Sequence, residues 1–179
     1  MKRVIRDTAD GSKTIFVEAL DEHYHSIHGA LAESRHVFIQ SGLDTIESQD
    51  VSILEIGFGT GLNAITTLER NLALKKNIHY TGVEAYPVDT SDFSQLKYSQ
   101  LDLDEAVLPY LDKIHTIPWE VFQEMNANFQ LKKEEKKFQN IEAVEEFDLI
   151  YFDALKTAIK EIAQFTNLVP YNQKVSLPL

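Results

Sequence analysis

A glycine-rich stretch, Gly57-Phe58-Gly59-Thr60-Gly61, constrains the fold of this chain more than any other part of its sequence. The apolar segment 51–56 precedes it, and apolar residues return at helical spacing from Leu62 onward. Glycines at alternate positions let the backbone turn tightly and keep side chains away from a ligand. The start of the following helix offers free backbone N–H groups. The stretch therefore predicts a strand, a ligand-binding turn and a helix, with a plain glycine-rich turn as the alternative.

The spacing of the glycines bears on which ligand such a turn would bind. A single residue, Thr60, separates the second glycine from the third, whereas the dinucleotide fingerprint has two residues there. Glu55 stands two residues before the first glycine. The pattern E-x-G-x-G-x-G resembles motif I of class I S-adenosylmethionine-dependent methyltransferases, whose glycines pass under the amino-acid and ribose parts of the cofactor. This resemblance implies S-adenosyl-L-methionine rather than NAD.

Composition restricts the other classes of function. Among 179 residues, 44% are hydrophobic and 25% are charged, which is typical of a globular domain. The absence of cysteine excludes disulfides, thiolate catalysis and cysteine-bound metal. A net charge of −11 argues against non-specific coating of nucleic acid but leaves room for a local basic patch. No apolar run approaches the roughly 20 residues of a transmembrane helix, so we expect a cytoplasmic protein without a membrane partner.

Hydrophobic patterning predicts an α/β fold with a parallel, Rossmann-like sheet. Strands are predicted at 51–56, 78–84 and 148–152, side by side, with a helix over 62–74 on one face. Right-handed crossovers between parallel strands require this arrangement.

The remaining segments carry weaker patterns. Residues 29–41 have helix character, 113–117 predict a short strand, and 119–125 predict a helical turn. The charge run 132–137 predicts the solvated tip of a hairpin. Histidines within 23–28 could chelate a metal from a strand, but no carboxylate–histidine pattern accompanies them, so we predict no metal site.

Two acidic residues stand at predicted strand ends. Glu84 closes the strand 78–84, about 20 residues beyond the glycines, where a carboxylate can accept both ribose hydroxyls of a nucleoside. NAD enzymes share this feature, so Glu84 does not separate the two cofactors. Asp153 follows the strand 148–152, at the carboxyl end where ligands sit in open α/β sheets.

Short motifs spread over residues 8–154 together resemble one family. It is the methyltransferase that completes 5-methylaminomethyl-2-thiouridine at the tRNA wobble position, in its stand-alone form without the flavin oxidase domain. The motifs are Asp10-Gly11-Ser12, His23-Tyr24-His25-Ser26, Gly29 through Glu33-Ser34-Arg35-His36-Val37-Phe38, Gly57-Phe58-Gly59-Thr60-Gly61-Leu62-Asn63, Glu84-Ala85-Tyr86-Pro87, and Phe147-Asp148 to Phe152-Asp153-Ala154. The resemblance implies a class I methyltransferase fold and tRNA as the partner.

The resemblance also implies roles for individual residues. The cofactor-binding residues would be Glu55, Gly57, Phe58, Gly59, Gly61, Asn63, Glu84 and Asn140. Glu84 would hold the ribose, and Asn140 would contact the adenine where the family often has an acid. The substrate-binding residues would be Tyr24, Glu33 and Arg35. Asp153 matches the presumed catalytic acid, which would take the proton of the aminomethyl group before methyl transfer.

The end of the chain departs from the family pattern. We predict an N-terminal hairpin and helix extension over 1–50, a Rossmann-like core over 51–154 and an atypical tail over 155–179. A frameshift or truncation after Ala154 is the expectation, giving a C-terminally incomplete fold, and a naturally minimised ending is the alternative. Without further cover, the 148–152 strand would be an open sheet edge prone to self-association. Two other functions stay open: a class I methyltransferase acting on a small amine or protein, and an inactive cofactor-binding remnant.

Overall fold

A small antiparallel sheet forms the first part of the structure. The computed structural model describes residues 3–7, 13–18, 22–23, 29–142, 146–153 and 174–176. The first three of these ranges contain the strands β1 (Arg3–Asp7), β2 (Lys13–Val17) and β3 (Glu22–His23), and β2 pairs with both neighbours. The antiparallel pair β1 and β2 corresponds to the hairpin that the sequence predicts in the N-terminal part. The motif Asp10-Gly11-Ser12 lies outside the described residues.

A helical segment connects this sheet to the core. Helix α1 (Ala30–Ser34) continues directly into a π-helical stretch, Arg35–Gln40, and a short 3-10 turn, Leu43–Thr45, follows. The helix predicted over 29–41 is confirmed. Its apolar side packs on the main sheet, where the rings of Phe38 and Tyr151 have centroids 5.0 Å apart.

The main sheet has six strands within the described residues. In chain order they are β4 (Asp50–Ile56), β5 (Asn77–Glu84), β6 (Gln123–Asn126), β7 (Phe129–Glu135), β8 (Leu149–Phe152) and β9 (Lys174–Ser176). Their order across the sheet is β6-β7-β5-β4-β8-β9. All neighbours are parallel except β6 and β7.

The predicted centre of the fold is confirmed. Strand β4 lies between β5 and β8, and helix α2 (Leu62–Leu74) spans the residues expected of it. Every residue of β8 is buried, and so are all but four in β4 and β5 together. Parallel strands covered on both faces read as nearly continuous apolar runs, which is why these three segments were recognisable.

Three local predictions are wrong. Residues 113–117, predicted as a strand, lie largely in helix α4 (Leu108–Thr116), which follows α3 (Thr90–Leu96). The predicted helical turn over 119–125 contains instead the start of β6. The predicted hairpin tip over 132–137 belongs mostly to β7, an interior strand of the sheet.

Lys133 shows why the charge run misleads. Its side chain is 1% exposed because the aliphatic stem lies inside the sheet packing, with Nζ over the Trp119 ring at 4.8 Å. Nζ donates a hydrogen bond to the backbone carbonyl of His115 at 2.9 Å. The neighbouring Lys132 and Lys136 both pair with Glu134, at 2.6 and 2.8 Å. The run therefore alternates between a buried face and a paired, more exposed face, as strand residues do.

The edge of the sheet also differs from expectation. Strand β9 pairs in parallel with β8, from Leu149 opposite Lys174 to Tyr151 opposite Ser176. The predicted open edge at 148–152 is therefore wrong, since β8 has a neighbour on each side within the described residues. None of the helices in those residues has the length and apolarity needed to cross a membrane.

Candidate functional site

The carboxyl ends of β4, β5 and β8 meet around the glycine loop. Gly57 and Gly61 have φ angles of 93° and 73°, a region in which side chains are strained, so both turns favour glycine. The backbone N–H groups of Gly57 and Phe58 both donate to the carbonyl of Val83, at 2.9 and 3.0 Å. These bonds fix the loop to the end of β5, directly beside Glu84.

Glu84 is held rigidly against this loop. One carboxylate oxygen accepts the backbone N–H of Gly59 at 2.9 Å, and the other accepts that of Tyr86 at 2.9 Å. The side chain is 8% exposed. Each ionised oxygen can accept more than one hydrogen bond, so the group retains capacity for a ligand that offers two neighbouring hydroxyls.

Asp153 occupies the equivalent position after β8. Its backbone N–H donates to the carbonyl of Ile56 at 2.9 Å, and its half-buried carboxylate accepts the Asn63 side-chain amide at 2.8 Å. Burial raises the pKa of Asp153 well above its usual range, and the nearby charges of Glu33 and Glu84 raise it further. The hydrogen bond from Asn63 acts in the opposite direction. Asp153 is therefore a carboxylate that accepts protons more readily than an exposed aspartate.

Glu55 and Asn63 lie beneath the loop, with their side chains 0% and 1% exposed. The Asn63 amide donates to one Glu55 oxygen at 2.8 Å, and the Tyr80 hydroxyl donates to the other at 2.8 Å. Burial, followed by the charge of Asp153, raises the pKa of Glu55 well above its usual range. The structure thus directs both side chains toward protein groups, whereas the sequence motif suggested cofactor contacts.

Phe58 is also buried, at 3% exposure, and its ring packs against the backbone of Gly82 in β5. A Cβ atom added to Gly82 would lie 2.2 Å from the Phe58 ring. Gly82 is thus a residue of the site that the motif analysis did not select. A glycine inside a strand often marks a close approach of this kind, so the signal was present in the sequence.

Thr60 is anchored by two residues that sequence reasoning missed. The Tyr98 hydroxyl donates to its side-chain oxygen, and Nε2 of His115 lies 2.9 Å from its carbonyl oxygen. Burial, together with the nearby charge of Lys133, lowers the pKa of His115 to about 4. His115 is therefore neutral at pH 7, with its proton on Nε2. Tyr98 and His115 are far from the loop in sequence, and no local motif identifies them.

The expected substrate-binding residues do not all lie together. Glu33, in α1, is half-buried and close enough to influence the charge state of Asp153. Arg35 points elsewhere: its guanidinium pairs with Glu69 on α2 at 3.0 Å and also donates to the carbonyl of Asp102. Tyr24 lies outside the described residues.

Asn140 stands in an exposed 3-10 turn, Phe138–Asn140, beyond the carboxyl end of β7. This is the same end of the sheet as the glycine loop and Glu84, because β7 runs parallel to β5 with Glu135 opposite Glu84. Among the described residues, no group of histidine and acidic side chains is arranged to hold a metal ion.

The mostly parallel sheet with flanking helices is a Rossmann-like α/β fold, as the resemblance to class I methyltransferases predicts. The chain superposes on the crystal structure of MNMC2 from Aquifex aeolicus with a TM-score of 0.72, covering 98% of this chain and 59% of that one. The two sequences are 20% identical, so this likeness concerns the fold.

Sequence comparison shows similarity to proteins that share one name. Three relatives carry the name tRNA 5-methylaminomethyl-2-thiouridine biosynthesis bifunctional protein MnmC. The one from Campylobacter fetus is 32% identical over 100 residues, which is 55% of this chain and 16% of that protein. Those from Leptospira interrogans and Magnetococcus marinus are 34% and 41% identical over 87 and 76 residues, or 44% and 38% of this chain.

The chain spans only 13% and 11% of the latter two proteins. No protein-family model matches it. The chain is thus similar over part of its length to proteins named MnmC, which agrees with the family that its motifs resemble.

Proposed function

We propose that this chain is an S-adenosylmethionine-dependent methyltransferase that N-methylates 5-aminomethyl-2-thiouridine at the tRNA wobble position. The observation that carries the proposal is the pair of acidic residues at one end of the sheet, with Glu84 bound to the glycine loop and Asp153 beside it. The names of the MnmC relatives support the choice of tRNA as the substrate. The proposal also places the chain in the cytoplasm with its tRNA.

The residues present fit the cofactor. Glu84 offers its carboxylate to the two ribose hydroxyls, and the loop of Gly57, Gly59 and Gly61 keeps side chains away from the methionine end. Asn140 is our candidate for the adenine amino group. The methyl group that bound S-adenosylmethionine supplies is already activated on a sulfonium, so the protein has to provide position and a proton acceptor.

Asp153 is the candidate proton acceptor. The aminomethyl nitrogen is mostly protonated at neutral pH, since alkyl amines have pKa values near 10.4, as lysine does. Asp153 would take one proton from this nitrogen, which frees the lone pair for attack, and would later release it to solvent. A carboxylate with an ordinary pKa is a poor acceptor for such a proton. The pKa of Asp153 is raised, which brings it closer to the pKa of the substrate's ammonium group. Burial would lower the pKa of the ammonium and bring the two values closer still.

The N-terminal part belongs to the same unit in this proposal. Residues 1–50 form an extension of the catalytic core 51–154, while 155–179 form a tail. Support comes from contacts across the first boundary: Ser34 donates to Asn63 at 2.7 Å, and Phe38 packs on Tyr151. Glu33 and Tyr24 remain candidates for substrate binding.

The direct test is methyl transfer to tRNA isolated from cells that lack this modification step. Tritium from labelled S-adenosylmethionine should appear in the wobble nucleoside. We expect Asp153→Asn to lower kcat by about 100-fold or more, since general-base catalysis contributes roughly 10²–10⁴-fold. Affinity for S-adenosylhomocysteine should change little.

Asp148→Asn is the matched control. Asp148 stands just before β8, far from the site, and accepts the backbone N–H of Ser52 at 2.8 Å, a bond that asparagine can also accept. Its variant should keep full activity. Faster turnover of small amines or of a protein than of tRNA would favour a different methyltransferase. Binding of S-adenosylhomocysteine without turnover of any substrate would identify a binding module.

A further inference from the structure

A closed hydrogen-bond network lies under the glycine loop and ends at Asp153. Its centre is Asn63, in the first turn of α2, whose amide donates at 2.8 Å to Glu55 and at 2.8 Å to Asp153. The oxygen of the same side chain accepts the Ser34 hydroxyl at 2.7 Å. The Tyr80 hydroxyl completes the network on the far side of Glu55.

This arrangement fixes the orientation of Asn63. Both amide hydrogens face carboxyl groups and the oxygen faces a hydroxyl donor, so a flipped amide would place an oxygen against two carboxyl groups. Ser34 is itself held by the Thr66 hydroxyl at 2.8 Å, and Thr67 donates to the backbone carbonyl of Asn63 at 2.6 Å. With 1% exposure, the Asn63 side chain is engaged entirely by protein groups.

We propose that Asn63 and Glu55 are positioning residues for Asp153 and not contacts to the cofactor. Asn63 holds the Asp153 carboxylate in one rotamer, and Glu55 holds Asn63. This inference rests on the proposed function, because positioning Asp153 matters to catalysis only if Asp153 receives the substrate proton.

The network also assigns a charge state to each carboxyl group. Glu55 and Asp153 share one amide, and two carboxylates this close inside a protein do not both ionise freely. Glu55 is 0% exposed whereas Asp153 is half-buried, so Glu55 carries the proton and Asp153 remains the carboxylate. The other titratable groups that act on this pair are Glu33 from α1 and Glu84 and Tyr80 from β5. In addition to burial, the pair in turn raises the pKa of Tyr98 and, through Glu55, that of Tyr151 in β8.

The test compares variants of Asn63 and Ser34 with a control on the same helix. Asn63→Leu removes both donated hydrogen bonds at similar volume, and Ser34→Ala removes only the bond that orients the amide. Asn71→Leu is the matched control, since Asn71 is a buried asparagine of α2 that bonds the backbone of Lys76 and does not contact the network.

Three measurements separate the roles: kcat for tRNA methylation, affinity for S-adenosylhomocysteine, and the titration of Asp153 followed by carboxyl ¹³C NMR. For Asn63→Leu we expect kcat to fall about tenfold or more, affinity to change less than threefold, and the Asp153 midpoint to move to higher pH. Ser34→Ala should change kcat and the Asp153 midpoint in the same direction as Asn63→Leu, but by a smaller amount. This variant keeps the proposal testable if Asn63→Leu does not fold. Asn71→Leu should lower the melting temperature without moving the other three quantities.

The opposite pattern overturns the proposal. If Asn63→Leu or Ser34→Ala weakened S-adenosylhomocysteine binding tenfold while the Asp153 titration stayed in place, Asn63 would be a cofactor contact. A Glu55 carboxyl signal that titrates below that of Asp153 would contradict the assigned charge states. The affinity and titration measurements need no methyl acceptor. A failure of the proposed function would instead appear as a wild-type protein that methylates no tRNA.

Discussion

Replacing Gly82 with alanine tests how closely the glycine loop is fitted to the sheet. The added Cβ would lie 2.2 Å from Cδ2, 2.9 Å from Cγ and 3.0 Å from Cε2 of Phe58. Ordinary contacts begin near 3.4 Å, so the ring or the strand has to move by about 1 Å. The ring cannot move freely, because the N–H groups of Gly57 and Phe58 are both bonded to Val83.

The expected cost follows from this geometry. Extra atoms in a well-packed core destabilise by about 1–3 kcal/mol. Gly82 lies in a β-strand without a positive φ angle, so alanine fits the backbone and recovers roughly 0.5–1 kcal/mol of conformational entropy. We expect a net loss of about 1 kcal/mol, the difference between these two effects, which for a chain of this size lowers the melting temperature by about 2–4 °C.

Denaturant unfolding and calorimetric binding of S-adenosylhomocysteine would check this estimate. Because the loop moves with Phe58, we expect affinity to fall about tenfold as well. The double variant Gly82→Ala/Phe58→Leu should recover part of both losses, relative to Phe58→Leu alone, since the smaller side chain makes room for the new methyl group. Unchanged stability and affinity in Gly82→Ala would show that the ring and loop are not fitted against the strand.

Three further outcomes follow from the site. Glu84→Ala should weaken S-adenosylhomocysteine binding by about 1.5–3 kcal/mol, the scale of hydrogen bonds to a charged group, and an unchanged calorimetric Kd would argue against the ribose assignment. His115 has a pKa of about 4 against 6.5 in its ordinary state, so the unfolded chain binds the extra proton first and stability should fall as pH drops from 6.5 toward 4. In denaturant titrations, the free energy of unfolding of His115→Phe should depend less on pH between 6.5 and 4 than that of the wild type. Parallel curves of unfolding free energy against pH for the two proteins would contradict this. Arg35→Met should lower stability by about 1 kcal/mol through loss of its partly buried pair with Glu69, leaving the KM for tRNA unchanged. A raised KM for tRNA would indicate instead that Arg35 binds the RNA.

Local sequence patterns were sufficient for the centre of the fold. The segments that became β4, β5 and β8 are interior strands covered on both faces, so their sequences are apolar almost throughout and their boundaries were predicted within two residues. The glycine loop and α2 follow β4 directly, so their relation to it is fixed by chain connectivity. The resemblance to a family could be found for the same reason, because its most specific motif is one continuous stretch.

The burial of charged residues and the pairing at the sheet edge could not be predicted from local sequence patterns. Lys133 looked solvated, and only the packing of β7 against Trp119 and the His115 carbonyl explains its burial. The pairing of β9 with β8 joins segments more than 20 residues apart. Strand pairing over such a separation depends on which sheet edge is available, and that edge exists only in the folded protein.

The sequence alone determined that a strand, a glycine turn and a helix would form a ligand-binding loop, with Glu84 and Asp153 at strand ends. Each of these features depends on short-range spacing and on the alignment of parallel strands. Only the tertiary structure decided that Glu55 and Asn63 face Asp153 from below and that Arg35 turns away to Glu69. A motif fixes where a residue stands along the chain, but the direction of its side chain depends on the helices and strands packed around it.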